Sequence, residues 1–268
     1  MTFFVEISTS IAAKAVEISI EQLAKHNKSY LTDTMGRLKD GSLGIFVFGP
    51  QGVGKTTLMN VLSGSSEIND IPTEYQSSAK NERMSFGGHV YFKVFSAPGQ
   101  TSLADIHWPD LFEKMNRYQR VLCIFCCSYG CHTNFELGAE ENGQSFLEEH
   151  RGIESELFLN FCTQLKSVTG KLALMLLVTK QDLWWDQRID VENHYLQAKF
   201  AKGFRLLEEN KKASGFISAR SSVSLSIQNL YNAYRQLIKS TVGGYDQLIQ
   251  KANFGSFLTQ IEMALSSF

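Results

Sequence analysis

Residues Gly49-Pro50-Gln51-Gly52-Val53-Gly54-Lys55-Thr56 constrain this chain more than any other stretch. They read G-x-x-x-x-G-K-[ST] between an apolar run, LGIFVF (43–48), and the helix-forming TTLMNVLSG. A strand that runs through a glycine-rich loop into a helix gathers backbone N–H donors around phosphate oxygens, and the glycines let the backbone approach closely. Lys55 then reaches the β- and γ-phosphates and the Thr56 hydroxyl ligates Mg²⁺. The candidate phosphate-binding residues are therefore Gly49, Gln51, Gly52, Val53, Gly54, Lys55, Thr56 and Thr57.

Downstream, the pattern alternates between strand and helix as far as residue 239. RMSF (83–86) and HVYFKVF (89–95) flank Gly87-Gly88 as a β-hairpin. VLCIFCC (121–127) and KLALMLLVT (171–179) are continuous apolar runs, as expected of strands buried on both faces. GFIS (215–218) reads as a last, weaker strand, with helices expected near 109–118, 153–168, 190–211 and 225–239. The fold class is α/β, a three-layer P-loop domain whose mostly parallel sheet has one antiparallel edge strand. This domain takes residues 41–241. An amphipathic helical extension (1–40) precedes it, with Phe4, Ile7, Ile11, Ala15 and Ile18 on one stripe, and an amphipathic helix (242–268) follows Gly243-Gly244.

Charge narrows the function classes. Lys+Arg 26 against Asp+Glu 27 leaves a net charge of −1, which argues against direct nucleic-acid binding or attachment to an anionic membrane through charge. Four of the five cysteines, Cys123, Cys126, Cys127 and Cys131, crowd together, and Cys162 stands apart. The apolar setting of Cys123-x-x-Cys126 favours buried reduced thiols over a metal or redox pair. The N-terminus has neither a basic start nor a long apolar run, Thr2 excludes myristoylation, and the final LSSF has no cysteine to prenylate. No integral membrane segment is expected, and a cytoplasmic location is the default.

Thr179-Lys180-Gln181-Asp182 closes a buried strand as T-K-x-D and selects the base. The Asp182 carboxylate would accept two hydrogen bonds from guanine N1–H and the N2 amino group. Adenine lacks that donor pair and would leave a buried carboxylate unpaired. The aliphatic stem of Lys180 would lie along the base plane. Ser218-Ala219-Arg220, taken to follow the last strand, would offer a backbone N–H to guanine O6.

With these motifs in order, residues 42–240 resemble the Ras-like small GTPases. The resemblance implies GTP and GDP as substrate and product, Mg²⁺ as cofactor, and an activating or effector protein docking on two switch segments. It assigns Thr73, preceded by Pro72, as the switch I threonine that meets Mg²⁺ and the γ-phosphate. Gly99 would meet the γ-phosphate through its N–H, and Gln100 would orient the attacking water. Catalysis is thus expected from Gln100, Lys55 and Thr73, and the metal ligands are Thr56 and Thr73. S-A-R stands where the family usually has S-A-K.

The third motif departs from the family, reading Ser96-Ala97-Pro98-Gly99-Gln100 where D-x-x-G-Q is usual. In this it is similar to the bacterial MglA-like gliding and polarity GTPases, which carry T-x-P-G-Q. Without the carboxylate the Mg²⁺ hold weakens, while the water-orienting Gln100 stays. A slow, partner-dependent GTP hydrolase follows; the alternative is a non-hydrolysing scaffold that binds nucleotide and assembles partners through its terminal helices. The prolines fit this layout. Pro50, Pro72 and Pro98 adjoin phosphate-sensing residues, and Pro109 is expected in the first turn of the helix after switch II.

Residues 128–152 are surplus to an ordinary strand–helix–strand step. Between 136 and 156, Glu136, Glu140, Glu141, Glu148, Glu149, Glu154 and Glu156 face Arg151 alone. Such a stretch is a solvated surface insertion or a partner-docking loop. Trp184 and Trp185 are expected to cover loop and core or to anchor a partner. His107-Trp108, after switch II, is expected as a hydrophobic foot for the next helix or as an effector contact.

Overall fold

The computed structural model describes residues 43–63, 81–86, 90–96, 101–132, 143–184, 187–196, 198–211 and 217–222, together with Phe257, Gln260 and Ile261. The two helical extensions expected over 1–40 and 242–268 lie almost wholly outside these residues. So do Thr73, Gly99, Gln100, Trp185 and the helix expected at 225–239.

Six strands form one sheet: β1 (Leu43–Phe48), β2 (Asn81–Phe86), β3 (Val90–Ser96), β4 (Arg120–Cys127), β5 (Lys171–Val178) and β6 (Ile217–Ser222). Their spatial order is β2-β3-β1-β4-β5-β6. β2 runs antiparallel to β3 at one edge, with Met84 opposite Phe92, and every other pair is parallel. The helices are α1 (Lys55–Ser63), α2 (Thr101–Met115), α3 (Gly143–Leu165), α4 (Gln181–Trp184), α5 (Arg188–Leu196) and α6 (Ala198–Lys211).

β1, β4 and β5 carry almost nothing but apolar side chains because both faces of the central sheet are covered. On one face Phe48, Phe125 and Leu174 share a core with Trp108, Phe112, Phe158, Phe161 and Phe204. The alternate residues Val47, Ile124 and Met175 are equally buried. Phe161 is the hub of the aromatic cluster, 4.5 Å from Phe48 and 5.2 Å from Phe125 between ring centroids. At Gly203 a Cβ would lie 2.7 Å from the Phe158 ring, so glycine there lets α6 close onto α3.

Four boundaries differ from the sequence expectation. Pro109 lies inside α2 rather than in its first turn. It has no N–H to give the carbonyl of Asp105, a cost of about 3 kcal/mol in a helix interior. The proline is exposed, whereas Trp108, Leu111, Phe112 and Met115 are buried, and that apolar face outweighs the lost bond. α3 begins at Gly143, ten residues earlier than expected, so the last part of the surplus 128–152 stretch is helix. The long helix expected over 190–211 is two helices that break at residue 197. Lastly, β6 runs to Ser222, since an edge strand paired only with β5 does not need an apolar sequence.

Candidate functional site

The parallel register brings the C-terminal ends of the central strands level: Phe48 lies opposite Phe125, and Cys127 opposite Val178. The chain adds β2 and β3 on one side of β1 and then crosses to lay down β4 on the other, so the strand order reverses at β1. Open α/β sheets bind ligands in the crevice beyond such a switch point. The glycine-rich loop leaves β1 at that position. Gly49, Gly52 and Gly54 have φ of 136°, 77° and 88°, values that L side chains rarely adopt. A Cβ at Gly49 would sit 2.2 Å from the Cys126 carbonyl oxygen, so the loop can cross the end of β4 only as glycine.

Lys55 opens α1 and folds back over the loop, its Nζ donating to the carbonyls of Gly49 (2.8 Å) and Pro50 (2.6 Å). Burial lowers this ammonium from 10.5 to about 8, and the neighbouring Cys126 thiol is itself pushed up to about 12 by burial. A buried cation at the start of a helix attracts an anion strongly. The first turn of α1 contains no acidic residue, leaving its positive end open to phosphate. These residues fit a nucleotide's phosphate chain, and the partly buried Thr56 stands at the offset where a hydroxyl would take Mg²⁺.

The T-K-x-D segment meets the glycine-rich loop directly. Thr179 is fully buried, and its hydroxyl is shared between the carbonyls of Val53 (2.7 Å) and Cys127 (2.9 Å). Its N–H donates to Cys127 as well, 2.8 Å. Trp184, on α4, donates from Nε1 to the Thr179 carbonyl at 2.8 Å and is buried; it covers the loop, as the sequence suggested. Lys180 takes a left-handed conformation, φ 56°, and its buried side chain donates to the carbonyl of Cys131, 2.7 Å.

A third segment completes the crevice: the turn 128–132 after β4. Glu154, on α3 and fully buried, accepts at Oε1 from the N–H of Ser128 (2.8 Å) and of Gly130 (3.3 Å), and from the Ser128 hydroxyl (3.2 Å). His132 Nε2 lies 3.2 Å from the same oxygen. At Oε2 it accepts from the Tyr195 hydroxyl, 2.8 Å, and that hydroxyl oxygen accepts the Tyr129 N–H, 2.8 Å. Burial alone would raise the Glu154 carboxyl; the bonds from His132, Ser128 and Tyr195 more than offset this and hold it below its usual range. The Arg151 guanidinium lies 4.5 Å over the Tyr129 ring.

No family model matches this chain, and no curated protein matches it. Among solved structures it is similar to the ADP-ribosylation-factor-like small COPII coat GTPase of Encephalitozoon cuniculi in complex with GDP. That likeness has 16% identity and a TM-score of 0.43, over 97% of this chain and 93% of that one. It is also similar to the mammalian SRP receptor, at 14% identity and a TM-score of 0.38, over 73% of this chain and 99% of that one. Likenesses this slight carry no argument about the site, which rests on the residues themselves.

The structure brings Gly49 to Thr57, Thr179 and Lys180 into one crevice, and the backbone of Asp182 opens α4 beside them. It does not place Ser218, Ala219 and Arg220 beyond the last strand. They lie inside β6 opposite Leu174, Met175 and Leu176, and β6 reaches the level of Val178 only at Ser222. At about 3.3 Å of rise per residue this leaves Ser218 four residues, about 13 Å, short of the crevice end of the sheet. Ser96 ends β3 beside Val47, next to the loop-bearing strand. Glu154 is the correction that matters most for the site. Read in sequence as one more solvated acid, it is buried. It stands in line with Phe158, Phe161 and Leu165, an acid on the apolar stripe of α3, and that spacing is the signal for it. In the VLCIFCC strand Cys123, Cys126 and Cys127 are buried and unbridged, as expected; Cys162 is buried too, while Cys131 is only partly buried. Burial raises the thiols of Cys123, Cys126, Cys127 and Cys162.

Proposed function

We propose that this protein is a guanine-nucleotide-binding switch that hydrolyses GTP to GDP and phosphate, slowly and with the help of a partner. The observation that carries this reading is the Thr179–Val53 hydrogen bond, which joins a base-selecting T-K-x-D loop to a phosphate loop in one crevice. Lys55 supports it as the cation for the β- and γ-phosphates, and Asp182 is the acceptor that prefers guanine. Mg²⁺, held through Thr56 and Thr73, would supply positive charge to the β- and γ-oxygens. Gln100 orients a water whose oxygen attacks the γ-phosphorus as the bond to the β-bridging oxygen breaks. Thr73 and Gly99 sense the γ-phosphate and order the switch segments, where an activator or effector docks. Intrinsic hydrolysis in this class is slow until a partner contributes charge.

The third motif makes the bacterial MglA-like gliding and polarity GTPases the nearest functional analogy. Further partner contacts belong to the terminal helices or the acidic insertion at about 128–152, and the working location is the cytoplasm. Among the described residues no helix is long and apolar enough to cross a membrane.

One observation favours the second reading, a non-hydrolysing scaffold: Ser96, at the end of β3, replaces the carboxylate that orders Mg²⁺. Single-turnover GTP hydrolysis with excess Mg²⁺ separates the two. The switch reading expects turnover above background that falls in Gln100→Ala and disappears in Lys55→Ala; wild-type protein at background with candidate partners present would leave the scaffold. Competition between GDP and ADP tests the base, and equal binding overturns the guanine assignment.

A further inference from the structure

The Glu154 carboxylate lies outside both nucleotide motifs, yet its contacts lead to one of them. Three successive backbone N–H groups converge on it: Ser128 and Gly130 directly, and Tyr129 through the Tyr195 hydroxyl. Consecutive donors of this kind form an anion nest, and here the anion comes from the chain itself. Two adjoining residues of the turn, Tyr129 (φ 56°) and Gly130 (φ 81°), hold left-handed backbone. The first is a side-chain-bearing residue in a conformation it rarely adopts unless its surroundings require it. A bond from the Cys131 N–H to the Ser128 carbonyl, 3.0 Å, closes the turn. On its other side the turn presents the Cys131 carbonyl to Lys180.

We infer that Glu154 is a positioning residue for nucleotide binding: it holds the turn 128–132 in the shape that lets Cys131 fix Lys180 beside the base. This rests on the guanine-nucleotide reading above. Without the carboxylate, buried N–H groups lose their acceptor and the turn must rearrange to satisfy them. The Cys131 carbonyl then leaves Lys180, whose left-handed backbone loses its side-chain anchor. Glu154 is fully buried and bonds to the turn rather than to Lys180, so its effect on Lys180 passes through the Cys131 carbonyl.

Equilibrium and dissociation measurements with a fluorescent GDP on the full chain test this as a double-mutant cycle of Glu154→Gln and Lys180→Ala. Glutamine keeps the shape but offers one acceptor oxygen where the carboxylate offers two. GDP affinity should fall about tenfold in Glu154→Gln, through faster dissociation, the size expected when a buried acceptor is lost. In the Lys180→Ala background the same change should move GDP affinity by less than about twofold. A merely structural Glu154 would lower affinity by the same factor in both backgrounds, and that result overturns the inference, as does wild-type affinity in Glu154→Gln. Should Glu154→Gln fail to fold by circular dichroism, Tyr195→Phe carries the test. Removing that hydroxyl should weaken GDP binding several-fold in the wild-type background and not in Lys180→Ala; equal losses overturn the inference. Wild-type protein that binds no guanine nucleotide would overturn the underlying reading and this inference with it, a result distinct from either outcome of the cycle.

Discussion

The Thr179 hydroxyl lies 2.7 Å from the Val53 carbonyl oxygen, a bond between residues 126 positions apart. It ties the loop that would select the base to the loop that would hold the phosphates, and the bond itself is buried. Thr179→Val keeps the shape and removes the hydroxyl donor, leaving the Val53 carbonyl short of a partner while the Cys127 carbonyl keeps the Thr179 N–H. The expected loss is about 1–2 kcal/mol, seen both in the urea midpoint and as roughly tenfold weaker GDP binding. Thr179→Ser should restore most of both. If Thr179→Val matches wild type in both measurements, the two loops are not coupled through this hydroxyl.

If Lys55 holds the phosphates as proposed, nucleotide binding should be sensitive to alkaline pH. Burial depresses its pKa from 10.5 to about 8, so the folded nucleotide-free protein disfavours the charged form. Phosphate needs that charge. GDP affinity should therefore fall as pH rises through about 8, approaching about tenfold per unit above it. The stability of the nucleotide-free protein moves the other way. Between about 8 and 10.5 the unfolded chain binds more protons, so this residue's contribution to stability grows with pH across that window. Lys55→Ala should abolish GDP binding and remove this component of the stability profile, which titration by calorimetry and denaturant melts at several pH values would reveal.

Gly49 cannot be replaced even by alanine. The new methyl carbon would meet the Cys126 carbonyl oxygen at 2.2 Å on a backbone with φ 136°. Strain and overpacking together should cost about 2–5 kcal/mol. Gly152→Ala is the control, because a Cβ there meets nothing within 4 Å; in the middle of α3 it should be neutral or stabilise by up to about 1 kcal/mol. Denaturant unfolding of the two variants should differ in sign or by several kcal/mol; equal midpoints would mean that the loop does not cross β4 as described.

Phe161→Ala removes the hub of the aromatic cluster, whose ring touches those of Phe48, Phe112, Phe125 and Trp108. A loss of about 3–5 kcal/mol is expected from the cavity it leaves. Trp108 sits 5.9 Å from that ring, so the variant should also shift the tryptophan emission of the folded state. A thermal melt within a few degrees of wild type would place the core elsewhere.

Much of this protein is decided by short contiguous stretches, and those were legible in the residues. A phosphate loop is a single turn between a strand and a helix, so Gly49 to Thr56 carries its own geometry, down to the glycines that must adopt positive φ. The central strands declare themselves because burial on both faces leaves only apolar side chains, as in VLCIFCC and KLALMLLV. The hairpin and the four parallel pairings follow from the same pattern. Thr179, Lys180 and Asp182 were legible as a motif, though what Lys180 grips was not.

Tertiary structure alone decided three things. Register decided that Ser218-Ala219-Arg220 lies within β6, because an edge strand tolerates polar residues and its end cannot be read from hydrophobicity. Packing decided that the α2 helix runs through Pro109, since the buried Trp108 face outweighs one missing hydrogen bond. Burial decided the role of Glu154. In sequence it stands among acids that read as solvated, yet its partners, Ser128 at a separation of 26 residues and Tyr195 at 41, reach it only once α3 and α5 have packed beside the end of β4. A charge inside a protein takes its meaning from the donors around it, and those donors are assembled by the fold rather than by neighbouring residues in the chain.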